Sequence, residues 1–466
     1  MARLSKGAMK RLIARTFADK PISAPRPSHS LLLAAAGSGK TTCGSVLWLL
    51  SLIGDFTRAL VINDPKDGEI AAQCADTCHA YGRKVAILDD FGVLGRDNPY
   101  TVSLSPFGAV AAAHKAGNGE LVFSAENANH ALIAEPPNDA RNQYWRDEPR
   151  TIQEFGLRSL LKRDTTLATP GALWALIADP ETFIKAARVE AEEGDDTLSA
   201  LAKHILDMRE HNKEHFGQHR AATLKALRIY SGDSPLHRSG ANAETTHLKL
   251  LQEKCVIFIV GPQRHMGRLG PHYALHLQSL LEALLTGKAG PVDFILDEFT
   301  NAPLGALVAA LTTMRGYGGS CHMIAQSRSE IQRKYGEKET ATIEENAVLK
   351  QWFGFSSFEE AERVSRAMGE DRVIQHSLGY GSDRLEFSGN LSTAKDRLLS
   401  AEQLMRLPPD EQIVHVKDVG FIHCKKLGQN QIAPFCHGEL ADNPLEGGQL
   451  PADPKVTLNI KKEHGR

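Results

Sequence analysis

The run Leu31-Leu32-Leu33-Ala34-Ala35-Ala36-Gly37-Ser38-Gly39-Lys40-Thr41-Thr42 constrains this chain more than any other feature. An apolar strand enters a glycine-bearing turn, continues through Lys-Thr, and becomes an apolar helix reaching Leu52. Gly37 and Gly39 let the backbone turn its N–H groups inward, and a helix starting near Lys40 aims its positive end at the same point. That is a cradle for phosphates. Ala36, Gly37, Ser38, Gly39, Lys40, Thr41 and Thr42 are the expected nucleotide-binding residues. Lys40 is expected to reach the β- and γ-phosphates, and the Thr41 hydroxyl to hold Mg²⁺. The strict pattern begins with glycine, and Ala34 stands in that place.

A second element completes the chemistry. Val292-Asp293-Phe294-Ile295-Leu296-Asp297-Glu298 is a short, mainly apolar strand ending in two adjacent acids. A phosphate loop needs an acid at the end of a buried strand to hold Mg²⁺, directly or through water, and Asp297 fits that role. A second acid can polarise the attacking water, and Glu298 fits that one. Alone, an apolar run ending in Asp-Glu says little; with the phosphate loop it predicts an NTPase that uses Mg²⁺.

A chain of 466 residues exceeds one simple core. Its apolar fraction of 42% and charged fraction of 24% are those of a globular protein. A formal net charge of -2 supplies no global field for nucleic acid, so contact with a polyanion would need a local basic patch or a pore. The seven cysteines are odd in number and scattered, and read as reduced thiols. Cys74, Cys78 and His79 lie close together, but no second ligand pair has zinc spacing, which argues against a metal there. No stretch reaches the ~18 apolar residues of a membrane span, and no secretory signal is visible.

Along the chain, residues 1–28 form a basic arm in which Leu4, Met9, Leu12, Ile13 and Phe17 fall on a loose helical face, ended by Pro21, Pro25 and Pro27. Residues 29–148 alternate strand and helix, which predicts a mainly parallel sheet covered on both faces. The alternation stops near 145. From Pro149 to Tyr230 the pattern is helical, and Lys40 and Asp297 are 257 positions apart, so residues 149–235 read as an inserted all-helical domain. Its polar face, with His204, Arg209, His211, Lys213, His215, His219 and Arg220, reads as solvated before it reads as a nucleic-acid patch. Residues 236–438 resume the sheet, and 439–466 are a polar tail expected to be loose. Ligands of such sheets sit at the C-terminal strand ends, which gathers Gly37–Thr41, Asp297, Glu298 and Gln326 at one rim.

Several blocks together resemble the type IV secretion coupling proteins, the VirD-type and TraG/TraD-like conjugal transfer ATPases. The most specific is Phe294 to Asn301, continued by Arg315-Gly316-Tyr317-Gly318, Ala325-Gln326-Ser327 and Tyr335-Gly336. Asn63-Asp64-Pro65-Lys66-Asp67-Gly68-Glu69 is similar to the family's Asp-Pro-Lys-Gly-Glu run, with Asp67 as an extra residue. Val85 to Gly92, Tyr144-Trp145, and Leu399-Ser400 through Leu407-Pro408 also fit. The resemblance spans roughly residues 30 to 430.

It implies an α/β, RecA/FtsK-like P-loop motor, assembled as a homo-hexamer, with the all-helical domain inserted. It also implies delivery of relaxase-bound single-stranded DNA or an effector protein to a type IV secretion channel. Arg315 becomes an arginine finger toward a neighbour's γ-phosphate, and Gln326 a γ-phosphate sensor. The family usually carries N-terminal transmembrane helices that this sequence lacks, which implies a cytoplasmic chain that is either a soluble variant or one whose contact with the inner membrane is delegated to partners. Six copies of a few basic residues would give a near-neutral chain a positive pore for DNA. The alternatives are a cytosolic FtsK/HerA-like DNA pump and a substrate receptor whose ATP site serves assembly.

Overall fold

A computed structural model describes residues 10–25, 28–137, 139–379, 388–445, 447 and 452–460. Its strands in chain order are β1 (Leu12–Arg15), β2 (Pro21–Ser23), β3 (His29–Leu33), β4 (Ala59–Asp64), β5 (Val85–Leu88), β6 (Val256–Val260), β7 (Val292–Leu296), β8 (Gly319–Ala325), β9 (Ala347–Trp352), β10 (Glu370–Gly379), β11 (Ser388–Arg397), β12 (Glu411–Val416), β13 (Gly420–Lys425), β14 (Ile432–Ala433) and β15 (Val456–Thr457).

Eleven of them form one sheet in the order β2-β1-β13-β12-β9-β3-β8-β7-β4-β6-β5. From β9 to β5 every neighbour pair is parallel. From β9 back to β2 every pair is antiparallel. The parallel strands read as continuous apolar runs because both their faces are covered. Leu31, Leu33, Val61 and Phe294 feed one core, which takes in the helix Met266–Leu285 and the helical segment. Leu32, Leu60, Ile62 and Ile295 feed the other, with the helices Val46–Leu52 and Glu69–Ala80. Trp48 is wholly buried there, under the Arg11 guanidinium at 4.6 Å.

Between β5 and β6 the described residues hold helices and turns and no further strand, and helices begin at Gly108, earlier than the break near 145 read from the sequence. Three successive helix starts are written in the chain. The side chains of Thr169, Asp179 and Asp195 accept the N–H groups of Ala172, Glu181 and Leu198, and Pro170 and Pro180 occupy the first helical turn. The polar face expected to be solvated is partly structural. His219 is buried beside Tyr144 and Trp145, and Arg220 donates to the carbonyls of Ile177 and Ala178 at a helix end. His204 pairs with Glu148 at 2.9 Å.

Both termini differ from the sequence reading. Leu12 and Ile13 lie in a strand, not on a helix face, because β1 pairs with β13 and β2 and buries Leu12, Ile13 and Ala14. Pro21 opens β2 instead of ending an arm. Leu4, Met9 and Pro27 lie outside the described residues. The tail is docked in part: β15 pairs with β14, Val456 is buried, and Asn443 is 2% exposed. Among the described residues no helix is long and apolar enough to cross a membrane.

Candidate nucleotide site

The sheet order sets β3, β8, β7 and β4 side by side, so the loops leaving their C-terminal ends share one rim. The phosphate loop leaves β3. Gly37 and Gly39 have φ of 73° and 84°, where a Cβ would be strained, and no atom lies within 4 Å of the place a Gly37 Cβ would take. The loop enters a π-turn, Thr41–Ser45, before the helix Val46–Leu52. Lys426, from the end of the antiparallel extension, holds the loop from beneath: its Nζ donates to the carbonyls of Ser38 (2.9 Å) and Phe353 (3.1 Å).

The acids leave β7. In a continuing strand, Asp297 and Glu298 would point to opposite faces. Glu298 instead adopts a left-handed backbone, φ 49°, which breaks the alternation. Both carboxylates therefore reach the same ammonium: Lys66 Nζ lies 3.4 Å from Asp297 Oδ2 and 3.2 Å from Glu298 Oε1. Lys40 also pairs with Glu298. Gln326, just past β8, donates through Nε2 to Glu298 Oε1 (3.2 Å) and Oε2 (3.4 Å). Asn63 Nδ2 donates to the Asp297 carbonyl, tying β4 to the turn.

A second pair of acids, Asp64 and Glu69, brackets the loop after β4. Asp64 Oδ2 accepts the N–H groups of Ile70 and Ala71, which fixes the start of the helix Glu69–Ala80. Thr41 Oγ1 donates to Glu69 Oε1 at 3.1 Å, and Asn443 from the tail donates to Glu69 Oε2 at 3.1 Å. The extra residue, Asp67, is absorbed by two consecutive left-handed positions, Asp67 at φ 52° and Gly68 at φ 67°, and its carboxylate accepts the Gln263 N–H.

The electrostatics follow from burial and charge. Burial pushes Asp297 up, Lys66 opposes that, and Glu298 adds to it, so its carboxyl sits above the ordinary value. Burial also disfavours the Glu298 carboxylate, but Lys66 and Lys40 outweigh it and hold the group below the usual range. Burial works against charge on Lys66, yet Asp297, Glu298 and Glu69 raise its pKa above the ordinary lysine value. Asp297 Oδ1 is buried with no hydrogen-bond partner. An orphaned buried carboxylate oxygen, next in sequence to Glu298 and within electrostatic reach of Glu69, fits a hard divalent cation.

The structure thus brings together Lys40, Thr41, Asp297, Glu298 and Gln326, and places Ala36, Gly37, Ser38, Gly39 and Thr42 in the loop around them. It does not bring Arg315 there. Arg315 precedes β8, at the opposite end of a seven-residue strand from Gln326, about 20 Å away by strand rise. It is exposed and forms no ion pair with a carboxylate among the described residues. Sequence reasoning missed Lys66, Glu69, Asn443 and Lys426 as parts of the site; only Lys66 and Glu69 had a signal, their place in the Asp-Pro-Lys run. Cys74 and Cys78 are buried in the core and join no group of metal-ligating side chains among the described residues.

The family described as type IV secretory system conjugative DNA transfer matches residues 6–432. The VirD4 protein of Rhizobium radiobacter is 26% identical over 280 residues, covering 58% of this chain and 40% of that protein. The VirD4 protein of Agrobacterium fabrum is 26% identical over 281 residues, covering 58% and 41%. The chain therefore spans less than half the length of these relatives. Among solved structures, the bacterial conjugative coupling protein TrwBdeltaN70 with sulphate superposes with a TM-score of 0.65 at 17% identity, covering 89% of each chain. TrwB in complex with ADP and Mg²⁺ gives 0.64, also at 17% identity and 89% coverage of each. The shared architecture is the RecA-like P-loop fold.

Proposed function

The chain belongs to the type IV secretory system conjugative DNA transfer family, and from that premise we propose that it is an ATP-hydrolysing coupling protein. In this reading it recruits nucleoprotein, relaxase-bound single-stranded DNA, or a protein substrate, and delivers it to a type IV secretion channel. One observation carries the ATPase reading: Lys40, Lys66, Asp297, Glu298 and Gln326 meet at adjacent strand ends beside a loop with two left-handed glycines. TrwB, which shares the fold, binds ADP with Mg²⁺.

Bound Mg²⁺ would neutralise charge on the β- and γ-phosphate oxygens. Thr41 and Asp297 would hold it, with Glu69 accepting from Thr41 behind it. Lys40 would exchange its bond to Glu298 for the phosphates. That exchange is a gate: while Lys40 and Lys66 hold Glu298, its carboxylate is not available to orient a water. A triphosphate that draws Lys40 away would remove one of the two cations on that carboxylate only when there is something to hydrolyse, with Lys66 left to hold it in place. Gln326, bonded to the same carboxylate, is placed to sense that change.

Arg315 lies too far from its own chain's Lys40 to act there, which supports a finger offered to a neighbouring copy in a ring, the homo-hexamer expected from the resemblance. The test is ATP hydrolysis by the purified chain with and without single- and double-stranded DNA, beside a sizing measurement. DNA-stimulated turnover in a hexamer-sized fraction supports the proposal. Turnover that ignores DNA and assembly state refutes the motor reading.

A further inference from the structure

A second group of ligating side chains is buried away from the phosphate site. His272 and His276 sit four residues apart on the helix Met266–Leu285, so their rings leave one face a single turn apart. The ring centroids are 4.8 Å apart, and the residues are 4% and 1% exposed. Asp90, just past the end of β5, brings its Oδ2 to 3.2 Å from His272 Nε2. One ligating atom from each of the three lies within 4.8 Å of the others, and no other group of three such residues occurs among the described residues.

The surroundings select which nitrogens are free. His272 Nδ1 meets the Tyr230 hydroxyl at 3.3 Å, and His276 Nδ1 meets His247 Nε2 at 3.2 Å. Both Nδ1 atoms are thus engaged, which leaves Nε2 as the ligating atom of each ring. His276 Nε2 is buried with no hydrogen-bond partner. A hydrogen bond between Asp90 and His272 satisfies those two residues alone and leaves this nitrogen stranded, at the cost of an unpaired buried polar atom. A cation reached by Asp90 and both Nε2 atoms satisfies all three.

We propose that Asp90, His272 and His276 form a binding site for a divalent transition metal of the zinc class, with Tyr230 and His247 orienting the two imidazoles. Two imidazoles and one carboxylate suit zinc, with solvent as the fourth ligand. The Asp90 side chain is 23% exposed, which gives water and metal an approach. Hydrogen bonds that engage the second ring nitrogen are the usual way a protein fixes a histidine ligand. Ser239 Oγ does the same for the carboxylate, donating to Asp90 Oδ2 at 2.8 Å. The ligands come from the end of β5 and from the helix that leads into β7, while Tyr230, Ser239 and His247 come from the segment returning from the helices to β6. A metal here would pin that return segment to the nucleotide-binding sheet.

The test uses the full chain without a histidine tag, stripped with chelator and dialysed against Zn²⁺ or Co²⁺. Metal content is measured by mass spectrometry and Co²⁺ coordination by visible absorption. One equivalent of Zn²⁺ per chain, a Co²⁺ spectrum of nitrogen ligation, and loss of both in His272→Gln and His276→Gln are expected. Tyr230→Phe should weaken binding by about 10–100-fold, as expected for loss of an orienting partner. Asp297→Asn, in the other site, should keep the full equivalent. Wild-type protein that takes up no stoichiometric Zn²⁺, or a folded His276→Gln that retains it, overturns the proposal. Should the histidine variants fail to fold, a wild-type Co²⁺ spectrum without nitrogen ligation overturns it equally.

Discussion

Replacing Lys66 with methionine tests the electrostatic account of the site most directly. Lys66 Nζ contacts Asp297 at 3.4 Å and Glu298 at 3.2 Å, and both acids are 1% exposed. Methionine keeps the unbranched shape and most of the length of the side chain and removes its charge. Lys40 still serves Glu298, but Asp297 loses its nearer cation. Breaking a buried pair by deleting one partner costs about 3–5 kcal/mol. With an unfolding entropy of ~2.1 cal/mol/K per residue over 466 residues, that lowers the Tm by about 3–5 °C. Thermal denaturation without nucleotide or Mg²⁺ measures it.

The loss has a signed pH dependence. The Asp297 pKa is already raised in the fold, so the stability this group contributes is present at low pH and lost as pH rises through its folded pKa. Glu298 is held low, so its contribution is present above its unfolded pKa and lost as pH falls through the folded one. Removing Lys66 withdraws the pull that lowers both, and both shift upward. The folded variant then binds protons more readily than the folded wild type. The Tm gap between them should therefore shrink on going from about pH 8 to about pH 5. A gap that stays constant or widens on acidification would refute the assignment of Lys66 as the counter-charge of these two acids.

Lys40→Ala should abolish nucleotide binding and hydrolysis, read by titration with a fluorescent ATP analogue and by phosphate release. Glu298→Gln should bind ATP normally while turnover falls by roughly 10²–10⁴-fold, the usual worth of a general base; substrate delivery that survives this loss would favour the receptor alternative. Arg315→Ala should retain binding and lose hydrolysis by up to about 10³–10⁵-fold, as for an arginine finger. Mixing it with Lys40→Ala should restore part of the activity, since a mixed ring holds some sites with both groups intact. Arg58→Met strands the buried Asp293, which Arg58 pairs and His322 Nε2 contacts at 2.9 Å, and should cost about 3–5 kcal/mol in thermal denaturation.

The parts of this site legible in the sequence were those written in consecutive residues. Leu31 to Thr42 and Val292 to Glu298 each contain their own strand, turn and chemistry, so no distant contact was needed to see them. Lys426 and Asn443 were invisible for the opposite reason. Neither sits in a local pattern, and each matters only because β12 and β13 and the tail return to the phosphate loop. The N-terminal segment misled because Leu12 and Ile13, spaced among basic residues, satisfy a helical period as well as a strand. The pairing that decides, Arg15 opposite Lys425, joins residues at opposite ends of the chain. His272 and His276 hid within an apolar helix, where spacing alone did not separate them from core residues.

The place of Arg315 bears on why this fold would work as an assembly. A parallel sheet has two ends, and its phosphate chemistry is confined to the one where strands finish. An arginine at the start of β8 cannot reach that end of its own sheet. It is exposed, it forms no ion pair with a carboxylate among the described residues, and it stands in a short turn, Met314–Tyr317, fixed by backbone bonds at Gly316 and Gly318. A cation held outward on a rigid turn keeps its hydration until another surface displaces it. If that surface is the nucleotide rim of the next copy, hydrolysis in one chain depends on contact with its neighbour. The Lys40–Glu298 pair would then be the second condition, released only by a phosphate. Two independent requirements, a bound triphosphate and a docked neighbour, would make turnover report on both occupancy and assembly.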